Sequence, residues 1–295
     1  MIQSFSLLSE QDLKTLVPDV TLMIFPVGGL EQHGPHLPLG TKILQSREWV
    51  DLLVKKLDRV MPAWNFIVMP VLPFTVDTYT SHTALNVRPH VMRDALVDQC
   101  DSLKKLGFHQ FAAFTSHMTP RQLVAIEDAS KIVGRGKKNV LISLSSGLVD
   151  SREVWKSPMI ALPLEHAGAF DTGSVLACNP ELVSAAASSL AAIEAPRASA
   201  GRFIQYFRGQ IDGYWGNPSA ASKQQALQKL DREFDVLIEK IKPVLEQGKG
   251  KSAFFSGYRH FPLNGSFFKA YILATIFFIS VFIWMMWGMK SVFES

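Results

Sequence analysis

Residues 20–40, VTLMIFPVGGLEQHGPHLPLG, join an apolar run to a loop that glycine and proline stiffen. The run, 20–27, does not alternate between apolar and polar residues, which is typical of a strand covered on both faces. The loop then presents Glu31, His33 and His36, and carboxylate and imidazole groups are common ligands of divalent metals. This stretch predicts a buried strand with a candidate metal site at its carboxyl end.

Further strand-like runs cover 66–71, 110–115 and 139–144, and helical patterns cover 88–106 and 222–247. The apolar residues of each helical pattern recur at a spacing that places them on one face. Strands that alternate with amphipathic helices predict an α/β fold, a three-layer sandwich with a mostly parallel sheet between helices.

Charge and cysteine content exclude several classes of protein. The formal net charge is +4, and residues 246–295 carry five Lys or Arg against two acids, so the rest of the chain is close to neutral. This distribution argues against a nucleic-acid partner. The two cysteines, Cys100 and Cys178, provide neither a disulfide framework nor a thiolate zinc site.

The C-terminal region contains a candidate membrane anchor. Residues 270–289, AYILATIFFISVFIWMMWGM, carry no charge and lie between Lys269 and Lys290. Twenty helical residues span about 30 Å, the thickness of the hydrocarbon core of a bilayer. The sequence therefore predicts an α/β domain (1–248), a linker (249–268), a transmembrane helix (269–290) and a short tail (291–295). The excess of basic residues before the helix predicts a single-pass membrane protein with its large domain in the cytoplasm, and the first residues lack the pattern of a signal peptide.

The loops that follow the predicted strands contain most of the histidines. Besides the first loop, these are 77–82 with His82, 115–117 with His117, and 164–173 with Glu165 and His166. In a parallel α/β sheet, ligands bind beyond the carboxyl ends of the strands, where these loops meet.

Four motifs in this order resemble the creatininase family of metal-dependent amidohydrolases. They are GGLEQHGPHLPLGT (28–41), the loop of His117, EHAGAFDTGSVLACNPELV (165–183) and GYWGNPSAAS (213–222), and the resemblance spans roughly 15–245. It implies a creatininase-like α/β fold, a homo-oligomer, and hydrolysis of an amide at a two-metal centre.

The resemblance also assigns roles to individual residues. It makes Glu31 and His33 ligands, one for each metal, and His117 a further ligand of the first metal. It makes Glu165 and His166 the pair that carries a proton to the leaving nitrogen. The family has an aspartate that bridges both metals where this chain has Lys42, and its further acidic ligand is absent, since Thr119 and Ala169 stand at the two positions where it occurs.

Lys42 decides between the functional hypotheses. An ammonium about 4 Å from a divalent ion is repelled by roughly 8 kcal/mol at an effective dielectric constant near 20. We therefore expect Lys42 to pair with Glu31 in a site with no metal or one, and the protein to be an inactive scaffold that binds a protein partner.

Three alternatives retain catalysis. Glu31, His33 and His117 can form a site for one Zn, Mn or Fe ion in an amidohydrolase. Lys42 can instead act as a base or nucleophile, or be carboxylated and bridge two metals. Of the remaining polar residues, we expect His36 to support its turn, and Asp171 and Thr172 to orient the loop of His166. His82 fits a pocket wall or a cap of the next helix, and Trp215 fits a pocket wall or plain structural packing.

Overall fold

The computed structural model describes residues 1–76, 78, 83–135, 138–149, 165–195, 205, 213–260 and 273–285. Its strands form one sheet in the order β1-β3-β2-β4-β5, and every pairing is parallel. They are β1 (Ile2–Ser4), β2 (Thr21–Val27), β3 (Asn65–Val68), β4 (Gln110–Thr115) and β5 (Val140–Ser143). The predicted parallel sheet is confirmed. β1 was not predicted, because three residues are too few to show a pattern.

Helices cover both faces of this sheet. They are α1 (Glu10–Thr15), α2 (Thr41–Val60), α3 (Pro89–Lys105), α4 (Pro120–Val133), α5 (Ala169–Cys178) and α6 (Lys223–Gln247). Leu22 and Ile24 of β2 pack with α2 and α6, whereas Met23 and Phe25 pack with α3 and α4. Because β2 is buried on both faces, it is apolar at every position after Thr21, as its sequence indicates.

Local signals place the ends of the two predicted helices. α3 stops just before Gly107, which has a φ of 96°. The side chain of Ser222 accepts a hydrogen bond from the amide of Gln225 at 3.3 Å and caps the start of α6. Gly248, with a φ of 67°, ends α6 in the left-handed conformation that glycine adopts most easily. The predicted and observed bounds therefore agree to within one residue.

Residues 249–260, which we call the connector, pack on the domain although they were predicted as linker. Two 3-10 turns, Lys251–Phe254 and Gly257–His260, form here. Phe254 is 1% exposed and Tyr258 is 8% exposed. The ordered body of the domain thus extends beyond α6 to the end of the connector.

No helix within the described ranges is both long and apolar enough to span a bilayer. Residues 273–285 of the predicted anchor are helical. Its other positions and the tail 291–295 lie outside the described residues.

Candidate metal site at the carboxyl edge of the sheet

Close backbone packing holds the loop after β2 against the start of α2. A side chain at Gly28 would overlap the backbone carbonyl of Lys42, and one at Gly29 would overlap Thr75. The amide of Glu31 donates to the carbonyl of Leu39 at 3.0 Å and closes the loop. The two glycines are therefore required for the close approach of the loop to α2.

Glu31, His33 and His166 form a buried cluster that can hold a metal ion. One ligand atom from each lies within 4.8 Å of the other two. The side chains of Glu31 and His33 are 0% exposed and His166 is 1% exposed. The rings of His33 and His166 lie 4.5 Å apart. Two imidazoles and one carboxylate with an open position form a donor set typical of a catalytic zinc site.

The orientation of the His33 ring suits a ligand. Its Nδ1 lies 2.8 Å from the carbonyl oxygen of Glu31, and a carbonyl can only accept, so Nδ1–H is the donor. Nε2 then carries the lone pair, and it is buried with no hydrogen-bond partner among the described residues. Burial, followed by the nearby His166 and Lys42, holds the pKa of His33 well below its ordinary value. Neutral imidazole is the form that binds metals.

His117 contacts the same carboxylate from another strand. It follows β4, and its Nδ1 lies 3.3 Å from Oε2 of Glu31. The hydroxyl of Thr115 accepts from the amide of His117 at 3.1 Å and fixes this short loop. Among the described residues, the ligand atoms close enough to share one ion are those of Glu31, His33 and His166, and His117 contacts this group through the carboxylate of Glu31. The assignment of His117 as a metal ligand stays a prediction.

The Lys42 ammonium forms a buried ion pair with Asp171. Its Nζ donates to Oδ1 of Asp171 at 2.8 Å and to Oε1 of Gln45 at 3.0 Å. The two charged side chains are 7% and 9% exposed. The sequence predicted Glu31 as the partner of Lys42, whereas the carboxylate observed at 2.8 Å is that of Asp171, from the first turn of α5.

Asp171 also holds the turn that contains His166. Its Oδ2 accepts from the amide of Ala167 at 2.9 Å. Ala167 has a φ of 50°, a conformation that costs a non-glycine residue roughly 1–2 kcal/mol. Burial alone would raise the pKa of Asp171, but Lys42, His33 and His166 together hold it well below its ordinary value. Asp171 is thus ionised at neutral pH, and it orients the His166 loop, as expected.

Glu165 and His166 occupy adjacent but different environments. Glu165 Oε1 accepts from the amide of Phe170 at 2.9 Å at the start of α5. His166 Nε2 donates to the carbonyl of Gln32 at 3.0 Å, and its backbone pairs with Trp215. Burial raises the pKa of Glu165 and lowers that of His166 to about 4. His166 is therefore a neutral imidazole at neutral pH.

Of the remaining predicted residues, His36 and Trp215 contact neighbouring side chains, and His82 lies outside the described residues. His36 Nε2 lies 2.9 Å from the hydroxyl of Thr172, and its ring meets Tyr214 edge-on, which fits a turn-supporting role. The ring of Trp215 packs 5.0 Å from that of His166.

Sequence reasoning missed the partners of Lys42. Gln45 lies one helical turn after Lys42 on α2, a spacing at which side chains meet. That signal was available, whereas the approach of Asp171 across 129 positions of sequence was not.

Comparisons with known proteins agree with this fold. The profile of the creatininase family, described as creatinine amidohydrolase, matches residues 6–241. A search of curated proteins returns no match.

Solved structures resemble the chain over most of its length. A creatinine amidohydrolase (creatininase) is 18% identical with a TM-score of 0.60, and the alignment covers 82% of this chain and 98% of that one. A putative creatinine amidohydrolase from Bacteroides fragilis NCTC 9343 is 20% identical with a TM-score of 0.58, covering 83% and 95%.

Two further creatininase structures are described as a manganese form and a Zn–Zn form, and they are 18% and 17% identical to this chain. Both have a TM-score of 0.60, and each alignment covers 82% of this chain and 98% of the other. At these identities the likeness shows the fold, which agrees with the α/β architecture and its parallel sheet. Together with the profile match over most of the sequence, it leads to one conclusion. The chain belongs to the creatininase family.

Proposed function

We propose that this protein is a membrane-anchored creatininase-family scaffold that has lost two-metal hydrolysis and whose site holds at most one divalent ion, of Zn, Mn or Fe. One observation carries this proposal: the position of the bridging carboxylate is taken by an ammonium that is 2.8 Å from Asp171. A second metal would keep only His33 of its ligands, too few for normal coordination.

A single ion fits the described residues better than the sequence alone indicated. The buried Nε2 of His33 faces no hydrogen-bond partner among the described residues, as expected of a group that awaits a ligand. Asp171 neutralises Lys42, so the ammonium repels a cation less than a free charge would. A bound ion would supply Lewis-acid chemistry, and Glu31, His33 and His166 would hold it.

The position of His166 favours a scaffold over an enzyme. In the family this residue carries a proton to the leaving group, yet here it lies within the group of ligands. A histidine that holds the metal cannot also shuttle a proton. The second candidate, a one-metal amidohydrolase, needs His117 as the third ligand instead. The contact of His117 with Glu31 at 3.3 Å favours it enough to retain it.

Membrane anchoring through 270–289 is supported by an exposed apolar helix. Within 273–285, Leu273, Phe278 and Trp284 are 66%, 70% and 73% exposed. An apolar surface of this extent normally marks a contact with a membrane or a partner. Assembly into a homo-oligomer and capture of a protein partner by the cytoplasmic domain complete the proposed scaffold.

Elemental analysis and amide hydrolysis separate the two candidates. We expect the detergent-purified full-length protein to contain no more than one Zn, Mn or Fe per chain and to hydrolyse neither creatinine nor formylated amines. Turnover that a chelator abolishes, with His166→Ala inactive and still metal-loaded, would establish the one-metal enzyme. Removal of 267–295 is expected to release the domain from membranes, and continued sedimentation with membranes would contradict the anchor.

A further inference from the structure

The connector follows α4 toward the edge of the sheet that carries the site. Phe254 is buried near the end of β5, and the amide of Ser256 donates to Oε1 of Glu127 at 2.8 Å. Tyr258 then packs in a cluster with Leu123. Leu123 lies four residues before Glu127 on α4, about 6 Å nearer the start of the helix. The connector therefore runs toward the carboxyl ends of the strands.

Buried contacts hold the connector in this course. Glu127 is 0% exposed, and its Oε1 also accepts from the hydroxyl of Ser146 at 2.7 Å, just after β5. The cluster around Tyr258 includes Met118, the residue that follows His117. The connector thus leaves the domain beside the His117 loop, and nine residues, 261–269, lie between its end at 260 and the start of the anchor at 270. The ten Cα-to-Cα steps from 260 to 270 reach at most about 36 Å when fully extended.

Two exposed leucines lie at the same edge, beside the Glu31 loop. The carbonyl of Leu39 accepts from Glu31, and the amide of Leu85 donates to the carbonyl of Leu30, each at 3.0 Å. The two leucines therefore flank one peptide segment, and they are 45% and 67% exposed. Isolated exposed leucines need no explanation. This pair flanks the site, at the edge toward which a short tether leads.

We propose that this rim, formed by Leu39 and Leu85, rests on the lipid bilayer, so that the edge of the sheet with the metal site faces the membrane. The proposal rests on the membrane anchoring given under Proposed function. The surface that contacts the rim is the bilayer that holds the anchor, because the connector ends at this edge and the chain between the connector and the anchor is short. The ligand or partner reached by the site would then be one at the membrane surface.

Lipid-borne quenching of a fluorophore tests the orientation. In full-length Cys178→Ser protein, single cysteines replace Leu39, Leu85, Ser280 or Leu106 and carry a polarity-sensitive label. Cys100 is buried and stays. Leu106 is the matched control, since it is 58% exposed but follows α3 at the opposite edge of the sheet. The protein is reconstituted in phosphatidylcholine vesicles with and without lipids that carry a quencher near the headgroup for the rim and the control, or at the end of the acyl chain for Ser280→Cys, which lies at the middle of the predicted anchor.

We expect blue-shifted, quenched emission at Leu39→Cys and Leu85→Cys and unchanged emission at Leu106→Cys. Quenching at Ser280→Cys reports the anchor by itself. If Ser280→Cys is quenched and the rim is not, the orientation is wrong while the anchor stands. If none is quenched, both are wrong. Disulfide-linked dimers of unlabelled Leu85→Cys protein under an added oxidant, with no quenching of the labelled variant, would assign the rim to a second copy of the chain and overturn the proposal.

Discussion

The two halves of the buried site differ in whether their polar groups are satisfied within the domain. On one side, Glu31, His33, His117 and His166 converge, and the Nε2 atom of His33 has no hydrogen-bond partner among the described residues. On the other, Lys42, Gln45, Asp171 and Ser174 bond to one another at 2.7–3.0 Å. We call these the ligand half and the ion-pair half. The first is arranged to meet a ligand, whereas the second is closed on itself.

Under the proposed function, this difference explains how a site that has lost one of two metal ions can keep its fold. An isolated ammonium in the ion-pair half would carry a large desolvation cost. Asp171 supplies the missing negative charge from α5, so the charge of the buried site is balanced without a bridging carboxylate at position 42. The same carboxylate fixes the turn at Ala167, and this couples the ion-pair half to the position of His166.

The largest expected effect is loss of stability on breaking the ion-pair half. Asp171→Asn leaves Lys42 as a buried charge without its counter-ion, and we expect a loss of about 3–5 kcal/mol in the free energy of unfolding. Denaturant unfolding in detergent measures it. The control, Asp231→Asn, removes an exposed partner of Lys56 and should cost only about 0–1 kcal/mol. Equal, small losses would show that the buried pair does not stabilise the fold.

The ligand half should respond to metal instead. Zinc or manganese at a hundredfold excess over its dissociation constant stabilises a protein with one site by about 2.7 kcal/mol. We expect a thermal shift of the corresponding size in the wild type and none in His33→Ala. His109→Ala is the control, because His109 bonds to Asn139 at the far end of β4. A shift that survives in His33→Ala would place the ion elsewhere.

A double-mutant cycle measures how strongly Lys42 and Asp171 depend on each other. Lys42→Met alone leaves a buried carboxylate uncompensated, whereas Lys42→Met with Asp171→Asn leaves no charge. We expect a coupling energy of about 0.5–3 kcal/mol, with the double variant destabilised by less than the sum of the two single substitutions. Strict additivity would mean that the two charges are solvated separately.

The smallest expected effect is a dependence of the free energy of unfolding on acidic pH. The pKa of Asp171 in the folded protein lies below the ordinary value of 3.8, so its stabilising contribution is complete above pH 3.8 and is lost as the pH falls. The difference in unfolding free energy between the wild type and Asp171→Asn should therefore narrow below pH 3.8. Unfolding measured across acidic pH tests this. A difference that stays constant down to strong acid would contradict the ion pair.

Local patterns predicted most of the fold. The apolar runs gave four of the strands to within a few residues, because a parallel strand that is covered on both faces is largely apolar. The predicted bounds of α6 agree with the caps observed at Ser222 and Gly248. The connector was predicted as a linker, because glycine, serine, proline and asparagine are scattered through 249–266, whereas the buried contacts of Phe254 and Tyr258 depend on tertiary structure.

The candidate site was less predictable on the side of Lys42. Loops at the carboxyl edge were expected to converge, and Glu31, His33, His117 and His166 do so. The partner of Lys42 was predicted as Glu31, since the ammonium was expected to occupy the charge position that the missing bridging aspartate leaves. The fold brings Asp171 closer, and only the packing of α5 on α2 determines that choice.

Anomalous diffraction from crystals of the full-length protein grown with manganese or zinc tests the central claim most directly. We predict at most one peak per chain, bounded by Glu31, His33 and a second histidine, with Lys42 still paired to Asp171. Two peaks a few ångströms apart, with Lys42 displaced or carboxylated between them, would contradict the account.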